Sequence, residues 1–319
     1  MKLLEKSGIS EMFAEIWSNR EDNAMAPRVS IGLPVYNGER YLEKALGSLL
    51  NQDFEDFELI LSDNASTDRT AEICKDYAAR DRRIVYHRNE RNMGATHNYN
   101  LVLQMASGYY FKWAAHDDMY APTYLSRCVE VLDEAPPSVA LCYPRTILID
   151  EYDAKLDLYD DRMEIRLARP HHRLRHVLQN LRMCNAVFGV TRTSTMRATR
   201  LLGNYVSADM VLLAELALQG EFWQVPDPLF FRRRHPNSSC EANRTPEEVA
   251  AWFDPRNHGR AVARMTRLFW EHLKGIRSAP IGRIDRYRCY WVAMSHWLPR
   301  WRAMGGEVKR AVKLRLGRL

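Results

Sequence analysis

The chain has 319 residues, 46% of them hydrophobic, with 46 Lys and Arg against 40 Asp and Glu for a formal net charge of +6. That apolar content supports a real core and excludes a disordered chain, while a basic excess concentrated beyond Arg256 suits nucleic acid, an acidic lipid surface or a phosphorylated substrate. Six scattered cysteines without a CxxC pair exclude a disulfide framework and fit a reducing compartment.

In chain order, residues 1–28 read as a leader helix and linker, with Met12, Phe13 and Ile16 at helical spacing before Pro27. The opening MKLLEKSGIS lacks the apolar core of a signal peptide, and no run approaches membrane-spanning length. A cytoplasmic protein, or one peripheral on the inner face of the membrane, is expected. From Val29 the pattern alternates: strand VSIGLPVY, turn NGE, helix RYLEKALGSLLNQ; strand FELILSD, helix TAEICKDYAAR; strand RIVYHR, helix NYNLVLQMA; strand YYFKWAA. Such alternation predicts crossover units and a mostly parallel sheet flanked by helices.

After Pro122 the spacing of Leu125, Val129 and Leu132 predicts a helix, and SVALCYPRTILI one or two further strands. Residues 151–182 are charged and weakly patterned. A helix is expected from about Asp209 to Gly220, then a strand in FWQVPDPLFFRRR. Beyond Arg244 the chain is basic and helical with interleaved aromatics, so the expected organisation is a domain over 29–240 and a basic helical C-terminal region over 241–319. Trp291, Trp297 and Trp301 with their arginines fit either a membrane-surface helix set or core packing. No RNA- or DNA-binding module accompanies them, so nucleic acid is not an expected partner.

In an open parallel α/β sheet, ligands bind beyond the carboxyl ends of the strands, and three polar segments stand there: PVYNGE, SDNASTD and HDD. Pro34 between Gly32 and Gly38 breaks any dinucleotide fingerprint, and no Walker lysine is present. What remains suits a base, a ribose and a metal-held diphosphate, with Mg²⁺ or Mn²⁺ bound by one or two carboxylates plus phosphate oxygens.

The segments VSIGLPVYNGERYLEKALGSLLNQ, FELILSDNASTDRT, NMGATHNYNLVLQMASGYY and HDDMYAP, in this order and spacing, resemble the family 2 glycosyltransferases of GT-A type over about Val29 to His235. The resemblance implies a GT-A-like, Rossmann-type fold and inverting, metal-dependent sugar transfer from a nucleotide-sugar donor, UDP-linked, to a glycan or lipid-linked acceptor in cell-surface polysaccharide or glycoconjugate synthesis. It implies nucleotide binding by Pro34, Tyr36, Asp63, Asn64 and Gly94, with Asp63 or Asn64 reading the base edge. Measured back from Pro122, the family's first aspartate falls on Ala115 and the middle residue on His116, which would take over the ribose contact. The metal-binding aspartate falls on Asp117, with Asp118 a second ligand or a partner to it. Asp209 in SADMVLLAEL would be the catalytic base, and His235 in RRRHP a metal ligand flanked by phosphate-neutralising Arg232, Arg233 and Arg234.

Each position also has a plainer role: a helix N-terminus for Asp117 and Asp118, an Asx turn for Asp63, a helix cap for Asp209 with Glu215 as the alternative base, a loop histidine for His235. His172 and His176 stand four apart without a third ligand, which reads as a solvated basic helix. The competing functions are a catalytically inactive nucleotide-sugar-binding scaffold, allowed by Ala115, and a sugar nucleotidyltransferase, for which the first loop offers only Arg40 as phosphate-binding cation.

Overall fold

The computed structural model of the chain describes residues 26–238, 245–258 and 262–316. The expected leader pattern up to residue 25, and Cys240 at the expected domain boundary, lie outside the described residues. Strands β1 (Val29–Val35), β2 (Phe57–Asp63), β3 (Ile84–Arg88) and β4 (Tyr110–Trp113) alternate with helices α1 (Leu42–Leu50), α2 (Thr70–Arg80) and α3 (Ala95–Met105). Every residue of β1 and β2 is buried, as a strand covered by helices on both faces requires, and each buried Ile or Leu there is worth roughly 1.5–3 kcal/mol. α1 turns Leu42, Ala45, Leu46 and Leu49 inward at the expected spacing.

There follow β5 (Met119–Tyr120), α4 (Tyr124–Glu134), β6 (Val139–Ile149), β7 (Lys155–Tyr159), α5 (Pro170–Asn180), β8 (Val190–Arg192), α6 (Thr193–Arg197), α7 (Ala208–Gln219) and β9 (Glu221–Arg233). SVALCYPRTILI is therefore one long strand, irregular in its pairing with β9 near Pro144. The charged stretch 151–182 resolves into the β6–β7 hairpin and α5. In α5, Arg173, Leu174 and Val177 turn inward, so the basic helix is solvated on one side only.

All nine strands form one sheet in the order β3-β2-β1-β4-β8-β6-β9-β5, with β7 added on β6. β1, β2, β3 and β4 are parallel. β8 runs antiparallel to both β4 and β6, and β9 is parallel to β6, so β6 and β9 point the same way as β4. The carboxyl ends of β1, β2, β4 and β9 thus lie along one edge, and the strand order reverses between β1 and β4, where a crevice opens. This direction-keeping is what can bring a residue after β9 to one after β4.

The C-terminal helices α8 (Pro246–Phe253), α9 (Arg264–Ser278), α10 (Arg283–Trp297) and α11 (Trp301–Leu316) complete the described chain. Ile276 of α9 and Ala279 just after it, with Cys289, Val292 and Ala293 of α10, belong to the same apolar cluster as α3 and α7, so these helices are built into the main core. The tryptophans divide: Trp297 is buried beside Val211 and Leu268, while Trp291 and Trp301 face outward.

Candidate active site

The loops after β1 and β2 hold each other in place. Asn37 N donates to Ser66 Oγ at 2.9 Å, Gly38 N to Thr70 Oγ1 at 2.8 Å and Glu39 N to Asp68 Oδ2 at 3.1 Å. In return Thr67 N donates to Asn37 Oδ1 at 2.9 Å and Arg69 N to Glu39 Oε2 at 3.0 Å. Short polar side chains here satisfy the backbone of the opposite loop, which explains the density of Asn, Ser, Thr and Asp in both. Gly38 packs so tightly on the loop after β4 that a Cβ would stand 2.7 Å from His116 Cδ2.

Asp63 is fully buried behind this joint. Its carboxylate accepts from Ser66 N at 2.8 Å and Tyr86 OH at 3.3 Å and lies 3.3 Å from Arg88 Nε. Asn64 sits in a carboxamide network, its oxygen accepting from Asn89 Nδ2 and Met93 N, both at 2.9 Å, while its amide donates to Asn92 Oδ1 at 2.9 Å. Asn64 lines the cavity described below and Asp63 stands just behind it. The turn-closing role is thus present for Asp63, and the network holds Asn64 in one orientation.

After β4, Asp117 Oδ2 faces His235 Nε2 at 3.0 Å, and the His235 ring lies 4.7 Å from that of Tyr41. Asp118 Oδ1 accepts from Arg233 N at 2.8 Å. Arg233 clamps the two segments: its side chain is fully buried, donating to Asp117 O at 2.8 Å and Asp150 O at 2.9 Å, pairing with Asp153 at 2.5 Å and resting 4.6 Å from the Tyr41 ring. The expectation that Arg233 meets phosphate is corrected: its guanidinium is consumed inside the protein. Burial pushes both neighbouring carboxyls up, but for Asp117 the charges of His116 and His235 and the bond to His235 outweigh it and hold the pKa low. For Asp118, burial and the adjacent Asp117 prevail and raise it.

Asp209 stands in the first turn of α7, after Ser207 in the left-handed conformation, with Oδ1 accepting only from its neighbour Met210 N at 3.0 Å. Glu215, the alternative base, is buried on the far side: Arg200 N and Nε each donate to it at 2.7 Å, and Arg200 also pairs with Glu271 at 2.7 Å. Glu215 does not line the cavity and is corrected to a structural ion pair.

These loops enclose a cavity of about 1160 Å³ whose walls include Pro34, Tyr36, Asn64, His116, Asp117, Asp118, Asp209 and His235. Eight of the ten expected site residues therefore meet in one space, Asp63 and Gly94 being the exceptions. Gly94 has φ +85, and a Cβ on it would come 2.5 Å from Phe253 O, so its lack of a side chain serves the packing of the segment after α8. Gly94→Ala is expected to cost about 1–3 kcal/mol from strain and this clash, read as a lowered midpoint in chemical denaturation.

The helix before that segment falls where the chain beyond Arg244 is expected to be helical, but its place at the cavity was not foreseen. α8 opens with a capping box, Thr245 Oγ1 accepting from Glu248 N at 3.2 Å and Glu248 Oε2 from Thr245 N at 2.9 Å, and it places Glu247 and Trp252 on the cavity wall. Asp254, bound by Arg256 and by Asn204 Nδ2, latches it to the loop preceding α7. The TPEE run was the available signal for this helix start. Lys112 was also missed: fully buried, it donates to Trp113 O at 3.0 Å over the Tyr120 ring at 3.8 Å, and burial pushes its amine down to about 7.

Among the described residues, no group of three or more His, Cys, Asp or Glu side chains stands in metal-holding geometry. The donor set suits a cation that brings its own phosphate ligands. A carboxylate and an imidazole face each other on the cavity wall, and His235 Nδ1 is buried without a hydrogen-bond partner among the described residues. Hard divalent cations commonly bind through one or two protein groups plus substrate phosphates.

The chain is 30% identical over 131 residues to an uncharacterised glycosyltransferase of Rickettsia typhi; the match covers 41% of this chain and 40% of that relative's own length. In fold it is similar to S. aureus TarS 1-349 in complex with UDP, with a TM-score of 0.61 at 16% identity over 86% of this chain and 71% of the other. It is also similar to the mannosyltransferase PcManGT of Pyrobaculum calidifontis in complex with GDP-Man and Mn²⁺, with a TM-score of 0.50 at 15% identity over 96% and 94% of the two chains. Both share the GT-A arrangement of a curled α/β sheet with flanking helices. Residues 30–198, more than half of the chain, match the family model for glycosyl transferase family 2, and the chain belongs to that family.

Proposed function

We propose that the protein transfers a sugar with inversion from a nucleotide donor, UDP-linked, to a hydroxyl of a glycan or lipid-linked acceptor. The observation that carries this reading is the meeting of Asp117, His235 and Asp209 in one cavity with Tyr36 and Asn64. The Tyr36 ring, 42% exposed, offers a face for the base, and the Asn64 network fixes the floor beneath it. His116, against Gly38, takes the place of the missing first carboxylate at Ala115 and reaches toward the ribose.

Asp117 and His235 would hold Mn²⁺ or Mg²⁺, with Asp118 behind them anchored on Arg233 N. Such an ion, when bound, neutralises the charge that develops on the departing diphosphate. Asp209 takes the proton of the acceptor hydroxyl as that oxygen attacks the anomeric carbon; the carbon–phosphate-oxygen bond breaks and the nucleoside diphosphate leaves with the bonding pair. α8 contributes Glu247 and Trp252 to the outer wall. UDP in TarS and GDP-Man with Mn²⁺ in PcManGT, both bound in related folds, accord with this assignment.

The test is a thermal-shift panel of UDP-, GDP- and dTDP-sugars with and without Mn²⁺. A UDP-sugar at about 100-fold its Kd adds roughly 2.7 kcal/mol, a rise of several degrees, and the rise should require the metal. No shift with any nucleotide sugar in Mn²⁺ would sink the reading. Ala115 favours a second one, a nucleotide-sugar-binding scaffold, which would show the shift but release no UDP with any acceptor.

A further inference from the structure

Helix α10 is apolar on two opposite sides. One side, with Cys289, Val292, Ala293 and Trp297, is buried. The other carries Ile284, Tyr287 and Trp291, continued by Leu298, a stripe at i, i+3, i+7 and i+14; the first three are 71%, 77% and 63% exposed. α11 extends it with exposed Trp301, Val308 and Val312 at i, i+7 and i+11. A surface helix gains nothing in water from such a row, and contiguous exposed apolar residues mark a contact surface.

The charge around the stripe selects the partner. From residue 283 to 313 the sequence has eight Lys and Arg against two acidic residues, Asp285 and Glu307. Glu307 accepts from Met265 N at 2.9 Å and Thr266 N at 3.3 Å, so its charge faces the start of α9. Asp285 lies within 4.0 Å of Arg169 and 3.9 Å of Arg288. The stripe is thus an aromatic and aliphatic row in a strongly positive field, which repels a second copy of itself and complements anionic phosphate headgroups. We propose that the α10–α11 face docks on an anionic bilayer surface, with Tyr287, Trp291 and Trp301 at headgroup depth and the guanidinium and ammonium groups on lipid phosphates.

The helix that carries this face also borders the cavity: Arg310, on the side of α11 away from Trp301, Val308 and Val312, reaches Glu247 on the cavity wall at 3.8 Å. If the proposed transferase reading holds, docking would hold the cavity one helix diameter, roughly 10 Å, from the bilayer surface, within reach of a lipid-carried acceptor. Docking itself does not depend on that reading.

The experiment is flotation of the full chain with vesicles of phosphatidylcholine alone and of phosphatidylcholine mixed with phosphatidylglycerol, with no donor present. Binding is expected only to the anionic vesicles, weakened by salt and accompanied by a blue shift of tryptophan emission. The combined variant Ile284→Ser, Tyr287→Ser, Trp291→Ser should lower the partition coefficient at least about ten-fold while keeping the wild-type melting temperature, since all three side chains are solvated. The charge variant Arg288→Glu, Lys309→Glu, Lys313→Glu should do the same and lose the salt dependence. Absence of binding to anionic vesicles overturns the proposal. So does undiminished binding by both variants, which would assign lipid contact to another segment such as residues 1–25. A dimer in sedimentation velocity that the serine variant dissolves would assign the stripe to self-association.

Discussion

Asp117→Ala is expected to lower sugar transfer about 10³-fold and to abolish the Mn²⁺ dependence of donor-induced thermal stabilisation. The size follows from position. Asp117 is the carboxylate of the rim that faces an imidazole across the cavity wall, and although burial raises its pKa, His116 and the bond to His235 outweigh that and hold it low. Its removal leaves the diphosphate end of the cavity with His235 alone in front, since Asp118 is turned to the Arg233 backbone. The substitution deletes no core volume and leaves the Arg233 clamp its backbone acceptor at Asp117 O, so the variant should remain folded. Assay of UDP release against added manganese separates the two effects. A variant with wild-type turnover and unchanged metal response would remove Asp117 from the proposed site.

Asp209→Asn is the complementary case. The amide keeps the size of the carboxylate and an oxygen for Met210 N, so donor binding and the metal-dependent thermal shift should match wild type, while turnover falls by about 10²–10⁴-fold. Isothermal titration with a UDP-sugar beside a steady-state acceptor assay makes the comparison. Equal loss of donor affinity and turnover would place Asp209 with the diphosphate and leave the base unassigned. Glu215 cannot take over, because Arg200 holds it on the far side of α7 from the cavity.

The parallel half of the fold was legible because β1, β2 and β4 are buried throughout and α1 has a clean inward stripe, so hydrophobic period and burial agree there, while the half-exposed β3 was carried by the alternation of strand and helix. The site residues were legible because an open α/β sheet delivers strand-end loops to one rim, and eight of ten expected positions line the same cavity. The two that do not, Asp63 and Gly94, are drawn aside by local packing. Gly94 answers to a backbone packed on it from more than 150 residues downstream, and Asp63 to a turn that takes its carboxylate inward.

Where partners are remote in sequence, residue type gave no guidance. Three consecutive arginines look alike in RRRHP, yet Arg233 is sealed while Arg234 is exposed, a difference set by the alternation of β9 against β6 and by Asp150 and Asp153 beyond it. The chain from 151 to 182 was opaque for a similar reason. β7 is exposed almost throughout and stands only by pairing with β6, and α5 buries an arginine whose guanidinium donates to Ala217 O at 2.6 Å and Leu218 O at 3.1 Å. The exposed stripe of α10 cancelled the buried one in any amphipathic reading, which left Trp291 and Trp297 indistinguishable until their surroundings were known.

The direction of β9 carries a temporal consequence. Arg233 ends β9 and His235 follows it, so a ribosome emits β1–β4 and the acidic pair 115 to 118 residues before the groups that face that pair. Until β9 is made, Asp118 lacks the Arg233 backbone donor and Asp117 the His235 imidazole that face them in the folded rim. The rim would then reach its folded geometry only after β9 pairs with β6, and the cavity its outer wall only after α8 has followed.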